Sequence, residues 1–333
     1  MSTPRVSVVL PFFNAAETVG RAIASIRAQT FPHWQLLALD DGSEDDGLAA
    51  ARAAAEDDSR IRVVRAPHAG IVAALQQACA VTQPSEYIAR MDADDIAMPG
   101  RLAAQTALMD AHPEIGLCGC QVRAAGPAGP GLRRYTNWLN RATEPEHIER
   151  DLFIECPVPH PTFFLRRAAF DAADGYQDHG WPEDYCLVMR LRNAGYPLAK
   201  VARPLLEWTH RPGRLSMTDP RYAESAFRAL KRHYLFEGPL KMRPTFHQWG
   251  AGEVGKRWLR EWGDRAPAAV VDINPRKVGR TIHGVAVIPP EDLPPPGHGY
   301  TLVAVGAPGA RAEIRAWFTQ RGYHELRDYR FIA

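Results

Sequence analysis

The chain has 333 residues, enough for two domains, and its 46% hydrophobic and 23% charged residues are typical of a globular protein. Its net charge of +2 gives no support for a nucleic-acid-binding protein. The five cysteines lack a metal-binding spacing, which predicts reduced structural thiols. The N-terminal residues do not predict a signal peptide, and no apolar stretch of about 18 residues predicts a membrane span. These features predict a cytoplasmic protein, with peripheral association at the inner face of the membrane as the alternative.

Apolar runs alternate with stretches of helical periodicity in the N-terminal part. Strands are predicted at Val6–Leu10, Leu36–Leu39, Ile61–Val64 and Tyr87–Met91. Helices are predicted at 14–29, at Ile71–Val81 and at Arg101–His112, and a further Ala-rich helix follows Ser43 and ends at about Glu56. Pro11 is expected to end the first strand, and Asn14 with Glu17 to cap the first helix. The alternation predicts an α/β fold with a doubly wound, mostly parallel sheet.

Three of the predicted strands end in distinctive residues, namely Pro11–Asn14, Asp40–Asp41 and Asp92–Asp95. Ligands bind at the carboxyl ends of strands in such sheets, so we expect one concave site to gather all three.

The last of these segments carries three carboxylates within four residues, Asp92, Asp94 and Asp95. Ionised carboxylates at this spacing repel each other unless a cation compensates them. Asp92 and Asp94 point to the same side of an extended segment, and such a pair binds Mg²⁺ or Mn²⁺ together with substrate phosphate. The sequence therefore predicts a metal–diphosphate site, with a solvated acidic turn as the alternative.

The alternation of predicted strands and helices is less regular beyond His112. A loop is predicted at 126–131, and helices at Glu144–Phe153, Glu183–Ala194 and Pro220–Tyr234. The last helix and the residues after it carry a basic patch, composed of Arg228, Lys231, Arg232, His233, Lys241 and Arg243. Such a patch is either a solvated face or a membrane contact.

A linker is predicted at residues 238–244, between a first domain at 1–237 and a second at 245–333. The second domain carries a Gly-x-Gly-x-x-Gly motif (Gly250, Gly252, Gly255), with Asp272 about twenty residues further on, the context of a dinucleotide-binding fingerprint. The domain is too short for a complete dinucleotide fold. A structural turn and a bound nucleotide both stay open, and we expect a role in assembly, acceptor positioning or regulation.

The N-terminal part resembles the family-two inverting nucleotide-sugar glycosyltransferases of the GT-A fold, and the second domain resembles small Rossmann-like domains of polysaccharide enzymes. The first resemblance covers roughly residues 4–217 and rests on an ordered set of motifs: Val6–Asn14, Gln29–Phe31, Asp40–Ser43, Met91–Asp95, Pro99, Arg101–Leu102, His160–Thr162 and Glu183–Tyr185.

This resemblance implies a role for particular residues. Asp184 is the expected general base, Asp94 and Asp92 bind the metal, with Asp92 alternatively on the ribose, and His210 is a further candidate ligand. The donor nucleotide is expected at Pro11, Phe13, Asn14 and Asp41, and the sugar or acceptor at His160, Trp181 and Glu183. Asp41, as a carboxylate, accepts a hydrogen bond from a base with a ring N–H, which favours uridine or thymidine.

The expected function is metal-dependent transfer of a sugar from a nucleotide-sugar, preferably a UDP-sugar, to a glycan or lipid-linked acceptor in cell-surface polysaccharide synthesis. A nucleotidyltransferase is the first alternative, although the Pro11–Asn14 loop lacks the Gly and Lys typical of that class. A non-catalytic nucleotide-sensing protein and a dehydrogenase follow. The sequence gives no indication of the oligomeric state.

Overall fold

The computed structural model describes residues 3–82, 84–126, 129–210 and 214–333. The chain forms two compact units, the first composed of residues 1–148 and 157–219 and the second of residues 149–156 and 220–333. The structure thus divides the chain earlier than the predicted linker at 238–244.

The first unit is an α/β structure. Its strands are β1 (Val6–Phe12), β2 (Trp34–Asp40), β3 (Ile61–Arg65), β4 (Tyr87–Arg90), β5 (Ile96–Ala97), β6 (Leu117–Ala124), β7 (Phe164–Arg166) and β8 (Leu198–Trp208). Its helices are α1 (Val19–Arg27), α2 (Gly47–Ala55), α3 (Ile71–Val81), α4 (Arg101–Ala111), α5 (Pro130–Arg141), α6 (Pro145–Asp151), which ends in the second unit, α7 (Arg167–Ala172), α8 (Glu183–Asn193) and α9 (Leu215–Thr218).

The eight strands form one sheet in the order β3-β2-β1-β4-β7-β6-β8-β5. The first four are mutually parallel, whereas β7 runs antiparallel to both β4 and β6. The predicted doubly wound, mostly parallel sheet is confirmed. Its order places the carboxyl ends of β1, β2 and β4 next to one another, where the three distinctive segments lie.

The core explains why these strands are continuous apolar runs. Alternate residues of β1, such as Val6, Val8 and Leu10, are almost fully buried in one cluster with Ile23 and Ile26 of α1. A strand covered by helices on both faces has no side available for polar residues.

Two expectations at the first strand end are wrong. Strand β1 continues through Pro11 to Phe12. Strand β4 pairs with β1 only as far as Val9, so the N–H that Pro11 lacks would not have formed a hydrogen bond with β4. Helix α1 begins after Thr18, so Asn14 is not its cap. Asn14 instead lies at a positive φ of 49° and accepts a hydrogen bond from the Glu44 N–H at 2.9 Å.

The predicted loop at 126–131 is only partly a loop. Residues 127 and 128 lie outside the described part of the chain, but helix α5 begins at Pro130. The Pro and Gly that suggested a loop occupy its first turn, where Pro needs no hydrogen-bonded N–H.

The second unit has helices α10 (Glu224–Glu237), α11 (Glu253–Glu261) and α12 (Ala310–Gln320). Its strands are β9 (His247–Trp249), β10 (Ala269–Val271), β11 (Thr281–Ile282), β12 (Val285–Ile288), β13 (Thr301–Val303) and β14 (Tyr329–Phe331). They form a sheet in the order β11-β12-β10-β9-β13-β14, parallel except for β11. The five parallel strands follow the first five positions of the Rossmann strand order 3-2-1-4-5-6, which confirms the predicted second α/β domain.

The predicted basic patch on α10 is not one exposed face. Lys231 is buried, and its ammonium donates to the carbonyls of Ile154 at 2.7 Å and Ile332 at 3.3 Å. Burial lowers the pKa of Lys231 to about 8. Arg228 pairs with Glu224 at 2.8 Å. These residues hold segments of the second unit together, which sequence position could not show.

All five cysteines are buried. Burial raises the pKa of the Cys79 thiol to about 12 and that of Cys120 to about 11, so neither is a reactive thiolate. Over the described residues, no helix combines the length and the apolar character that crossing a bilayer requires.

Candidate active site

The acidic cluster lies directly after β4. Ligand oxygens of Asp92, Asp94 and Asp95 lie within 4.8 Å of one another, with Asp95 buried and the other two half-buried. Oδ2 of Asp95 is buried and has no hydrogen-bond partner among the described residues. Clustered carboxylate oxygens of this kind fit a hard divalent cation such as Mg²⁺ or Mn²⁺.

A buried arginine accompanies the cluster. Nη2 of Arg90, a residue that is 2% exposed, lies 2.6 Å from Oδ1 of Asp92. Burial by itself raises the pKa of Asp92, but the attraction of the Arg90 guanidinium together with that of His160 and Arg214 outweighs it, so the pKa lies below its usual value. Burial, with repulsion from Asp92 and Asp94, raises the pKa of Asp95 well above its usual value.

The turn after β4 is fixed by residues of the Gln29 and Arg101 motifs. Arg101 is fully buried and donates to the Arg90 carbonyl at 2.7 Å. The side chain of Gln29 donates to the Met98 carbonyl at 2.8 Å and accepts from the Leu102 N–H at 2.9 Å. These motifs therefore hold the acidic turn in place, a role that the sequence alone did not assign.

The second strand end combines Asp41 with the turn after β3. The carboxylate of Asp41 accepts from the N–H groups of Ala69 at 2.9 Å and Gly70 at 3.0 Å, and His68 Nδ1 lies 3.0 Å from its Oδ2. These contacts fix the turn, and because Asp41 is only 4% exposed, little of its side chain is accessible to solvent. Gly42 has a φ of 75°, and a Cβ there would lie 2.7 Å from the His68 amide nitrogen.

An exposed aromatic pair lies beside this turn. Phe13 is 43% exposed, and its ring stacks on that of His68 with centroids 4.2 Å apart. Pro11 is buried in β1, and the Asn14 N–H donates to Ser43 Oγ at 2.9 Å. Sequence reasoning missed His68, although the Pro67–Gly70 turn directly after a strand was a usable signal.

A buried polar network leads from the acidic cluster to α8. His160 Nε2 lies 2.8 Å from the hydroxyl of Tyr176, and its Nδ1 lies 3.6 Å from Oε1 of Glu183. Burial lowers the pKa of His160 well below its usual value, and Arg90 adds to this, so the ring is neutral. Burial raises the pKa of Tyr176 well above its usual value. Tyr176 was not predicted from the sequence.

The expected base lies in the first turn of α8. Asp184 is half-buried, and its Oδ1 accepts from the Tyr185 N–H at 2.7 Å. Its charge also contributes to raising the pKa of Tyr176, which places it in the same electrostatic environment as His160 and Glu183. Trp181 is half-buried just before the helix, with its ring 5.5 Å from that of His179.

His210 is not a member of the acidic cluster. It is exposed, and its ring is 5.1 Å from that of Trp208. Residues 211–213, which follow it, lie outside the described part of the chain.

The glycine motif of the second unit packs closely against the backbone of the same unit. A Cβ on Gly255 would overlap the carbonyl oxygen of Gly250, and one on Gly250 would lie 2.5 Å from the Ala304 oxygen. Asp272 accepts from the Ala251 N–H at 3.0 Å and pairs with Lys277 at 3.0 Å. Close packing thus accounts for the first and third glycines.

We expect Gly255→Ala to destabilise the second unit by about 1–3 kcal/mol, because the added methyl has no space. Gly252→Ala is the matched control, since nothing lies within 4 Å of its Cβ position, and it should cost less than about 1 kcal/mol. Urea unfolding followed by tryptophan fluorescence measures both. Equal stabilities of the two variants would contradict this packing role.

A family model, Glycosyl transferase family 2, matches residues 7–173, which is half of the chain. The chain belongs to this family. The match covers β1 to β7 and therefore includes the acidic cluster, Asp41 and His160, whereas Asp184 and His210 lie beyond it.

Relatives of this family 2 chain include EpsE of Bacillus subtilis (strain 168), described as a glycosyltransferase and 29% identical over 53% of the chain. The amylovoran biosynthesis glycosyltransferase AmsE of Erwinia amylovora is 30% identical over 36% of the chain. UDP-Glc:alpha-D-GlcNAc-diphosphoundecaprenol beta-1,3-glucosyltransferase WfgD of Escherichia coli is 31% identical over 31% of the chain. The matches cover 61%, 43% and 40% of these relatives, which is less than two thirds of each.

Solved structures with the same fold include S. aureus TarS 1–349 in complex with UDP-GlcNAc, with a TM-score of 0.55, 19% identity and coverage of 71% of this chain and 66% of that one. The mannosyltransferase PcManGT from Pyrobaculum calidifontis, in complex with GDP-Man and Mn²⁺, has a TM-score of 0.50, 20% identity and coverage of 73% and 65%. These likenesses confirm the predicted GT-A-type fold.

Proposed function

We propose that this family 2 member is an inverting, metal-dependent glycosyltransferase. It transfers a sugar from a nucleotide-sugar, preferably a UDP-sugar, to a hydroxyl of a glycan or lipid-linked acceptor in cell-surface polysaccharide synthesis. The observation that carries the proposal is the group of three carboxylates within 4.8 Å, directly after β4. TarS in complex with UDP-GlcNAc and PcManGT with GDP-Man and Mn²⁺ support the donor class and the metal, and WfgD supports the acceptor class.

Donor binding is assigned to the ends of β1, β2 and β4. Asp92 and Asp94 would hold Mg²⁺ or Mn²⁺, with His210 as a further candidate ligand, and the ion neutralises charge on the diphosphate leaving group when it is bound. The exposed ring of Phe13 offers a face for the nucleobase, next to Pro11 and Asn14.

Asp41 is proposed to read the nucleobase in spite of its turn contacts. Its oxygens accept one backbone N–H each, from Ala69 and Gly70. An ionised carboxylate has about four acceptor positions, so it retains capacity for a ring N–H such as that of uracil.

Asp184 is proposed to remove the proton from the acceptor hydroxyl as its oxygen attacks the anomeric carbon. The new C–O bond forms on the face opposite the bond that breaks to the nucleoside diphosphate, so the configuration inverts. His160, Glu183 and Trp181 are proposed to contact the acceptor or the sugar. The neutral His160, held by Tyr176, can exchange hydrogen bonds with hydroxyl groups without adding charge.

The donor is tested by thermal unfolding with UDP-, dTDP-, GDP- and CMP-sugars, each with and without Mn²⁺. We expect a UDP-sugar to raise the unfolding temperature by a few degrees only when Mn²⁺ is present, since ligand at about 100 times Kd adds about 2.7 kcal/mol of stability. Stabilisation by nucleoside triphosphates, with synthesis of a nucleotide-sugar from a sugar phosphate, would instead indicate a nucleotidyltransferase.

A further inference from the structure

Exposed apolar side chains are concentrated near the carboxyl end of β8. Leu215 is 44% exposed and Met217 is 70% exposed, both on the short helix α9, and Tyr135 on α5 is 38% exposed. Both segments contact Trp208, since the Tyr135 ring lies 6.1 Å from it and the Arg214 guanidinium lies 5.3 Å from its centroid. We call α5 together with residues 214–218 the α5–α9 surface.

This surface is also basic. The 12 residues of α5 include Arg133, Arg134 and Arg141, all exposed, and no acidic residue. No ion pair joins these three arginines to an acid within the described residues. Some arginines elsewhere in the first unit do have acidic partners, as Arg5 has in Glu86 at 2.6 Å and Arg27 in Glu56 at 2.7 Å. The chain as a whole is nearly neutral, at +2, so the positive charge here is local.

The α5–α9 surface adjoins the metal-binding turn. The Thr209 N–H, next to Trp208, donates to Oδ1 of Asp95 at 2.7 Å. A ligand held on this surface therefore lies beside the acidic cluster.

We propose that the α5–α9 surface docks on a bilayer that contains anionic phospholipids. The unpaired arginines complement the lipid phosphates, Leu215 and Met217 enter the boundary of the acyl chains, and the exposed ring of Tyr135 lies at the headgroup level. Docking would bring the acidic turn after β4 close to a lipid-linked diphosphate acceptor in the bilayer. This statement about the acceptor rests on the proposed function, whereas the docking itself does not.

The test is flotation of the full-length protein with vesicles of phosphatidylcholine, alone or mixed with phosphatidylglycerol. We expect binding to the mixed vesicles only, weakening as salt is raised because screening reduces the attraction. A basic residue near such a surface is worth about fivefold in binding, so the double variant R133E/R134E should bind at least about 25-fold more weakly. The control R276E/R280E makes the same charge change at exposed arginines of the second unit and should bind as the parent does.

The apolar contribution is tested separately with L215S/M217S. This variant keeps every charge, and we expect weaker binding at both low and high salt. No binding of the parent protein to the mixed vesicles would overturn the proposal, as expected if the partner were a protein or an anionic glycan. Equal losses in R133E/R134E and in the control would overturn it as well, since binding would then follow net charge alone.

Hydrolysis of the nucleotide-sugar without vesicles separates this proposal from the proposed function. R133E/R134E should retain hydrolysis while losing vesicle binding. A parent protein that binds vesicles but neither binds nor hydrolyses any nucleotide-sugar would contradict the proposed function and leave the docking surface supported.

Discussion

Replacing Asp94 with alanine should reduce sugar transfer at least about a thousandfold, because the proposed metal loses a ligand and its stabilisation of the leaving diphosphate is worth several kcal/mol. Most metal-dependent binding of nucleoside diphosphate should be lost too. The ligand oxygens of Asp94, Asp92 and Asp95 lie within 4.8 Å of one another. Without Asp94, only the carboxylates of Asp92 and Asp95 would be left to bind the ion. The measurements are transfer assays and calorimetric titration with UDP in Mn²⁺ and in EDTA.

The matched control is Asp57→Ala, which removes an exposed acid in the same unit. It should leave both the rate and the metal dependence unchanged. Full turnover of Asp94→Ala in EDTA would show that this carboxylate does not serve a metal.

Replacing Asp184 with asparagine should lower the rate constant of transfer about a hundredfold or more, the usual scale for loss of a general base. Asparagine keeps the shape of the side chain and still accepts a hydrogen bond from the Tyr185 N–H, so α8 should begin as before. Donor affinity should barely change, because the proposed donor site lies at the ends of β1, β2 and β4.

Steady-state kinetics against donor and acceptor, with the pH profile of the rate, test this assignment. Asp57→Asn is the control and should retain the parent rate. Near-normal turnover of Asp184→Asn with poor donor binding would assign this carboxylate to the donor site. An unchanged acid limb of the pH profile would also contradict its role as a base.

Local patterns determined the elements that are buried and regular. Helix α3 has the predicted bounds, Ile71–Val81, because small and apolar residues fill its buried face and Gly70 precedes it. The strands β1 to β4 were predicted to within a few residues, and for β1, β2 and β4 the reason is that strands covered on both faces must be almost continuously apolar. Two of the missed elements lack this signature: α5 begins with Pro-Gly, and β8 carries exposed residues in its middle.

For the candidate site, the sequence by itself determined that three carboxylates follow β4 and that Asp41 directly follows β2, because neighbours along the chain fix those facts. Only the tertiary structure decided what each carboxylate faces. Asp41 holds the Ala69–Gly70 turn, and Asp92 pairs with Arg90. In the second unit, the tertiary structure shows that Lys231, which the sequence placed in a basic patch, is buried. These outcomes depend on contacts between residues far apart in the chain, and local spacing carries no information about such contacts.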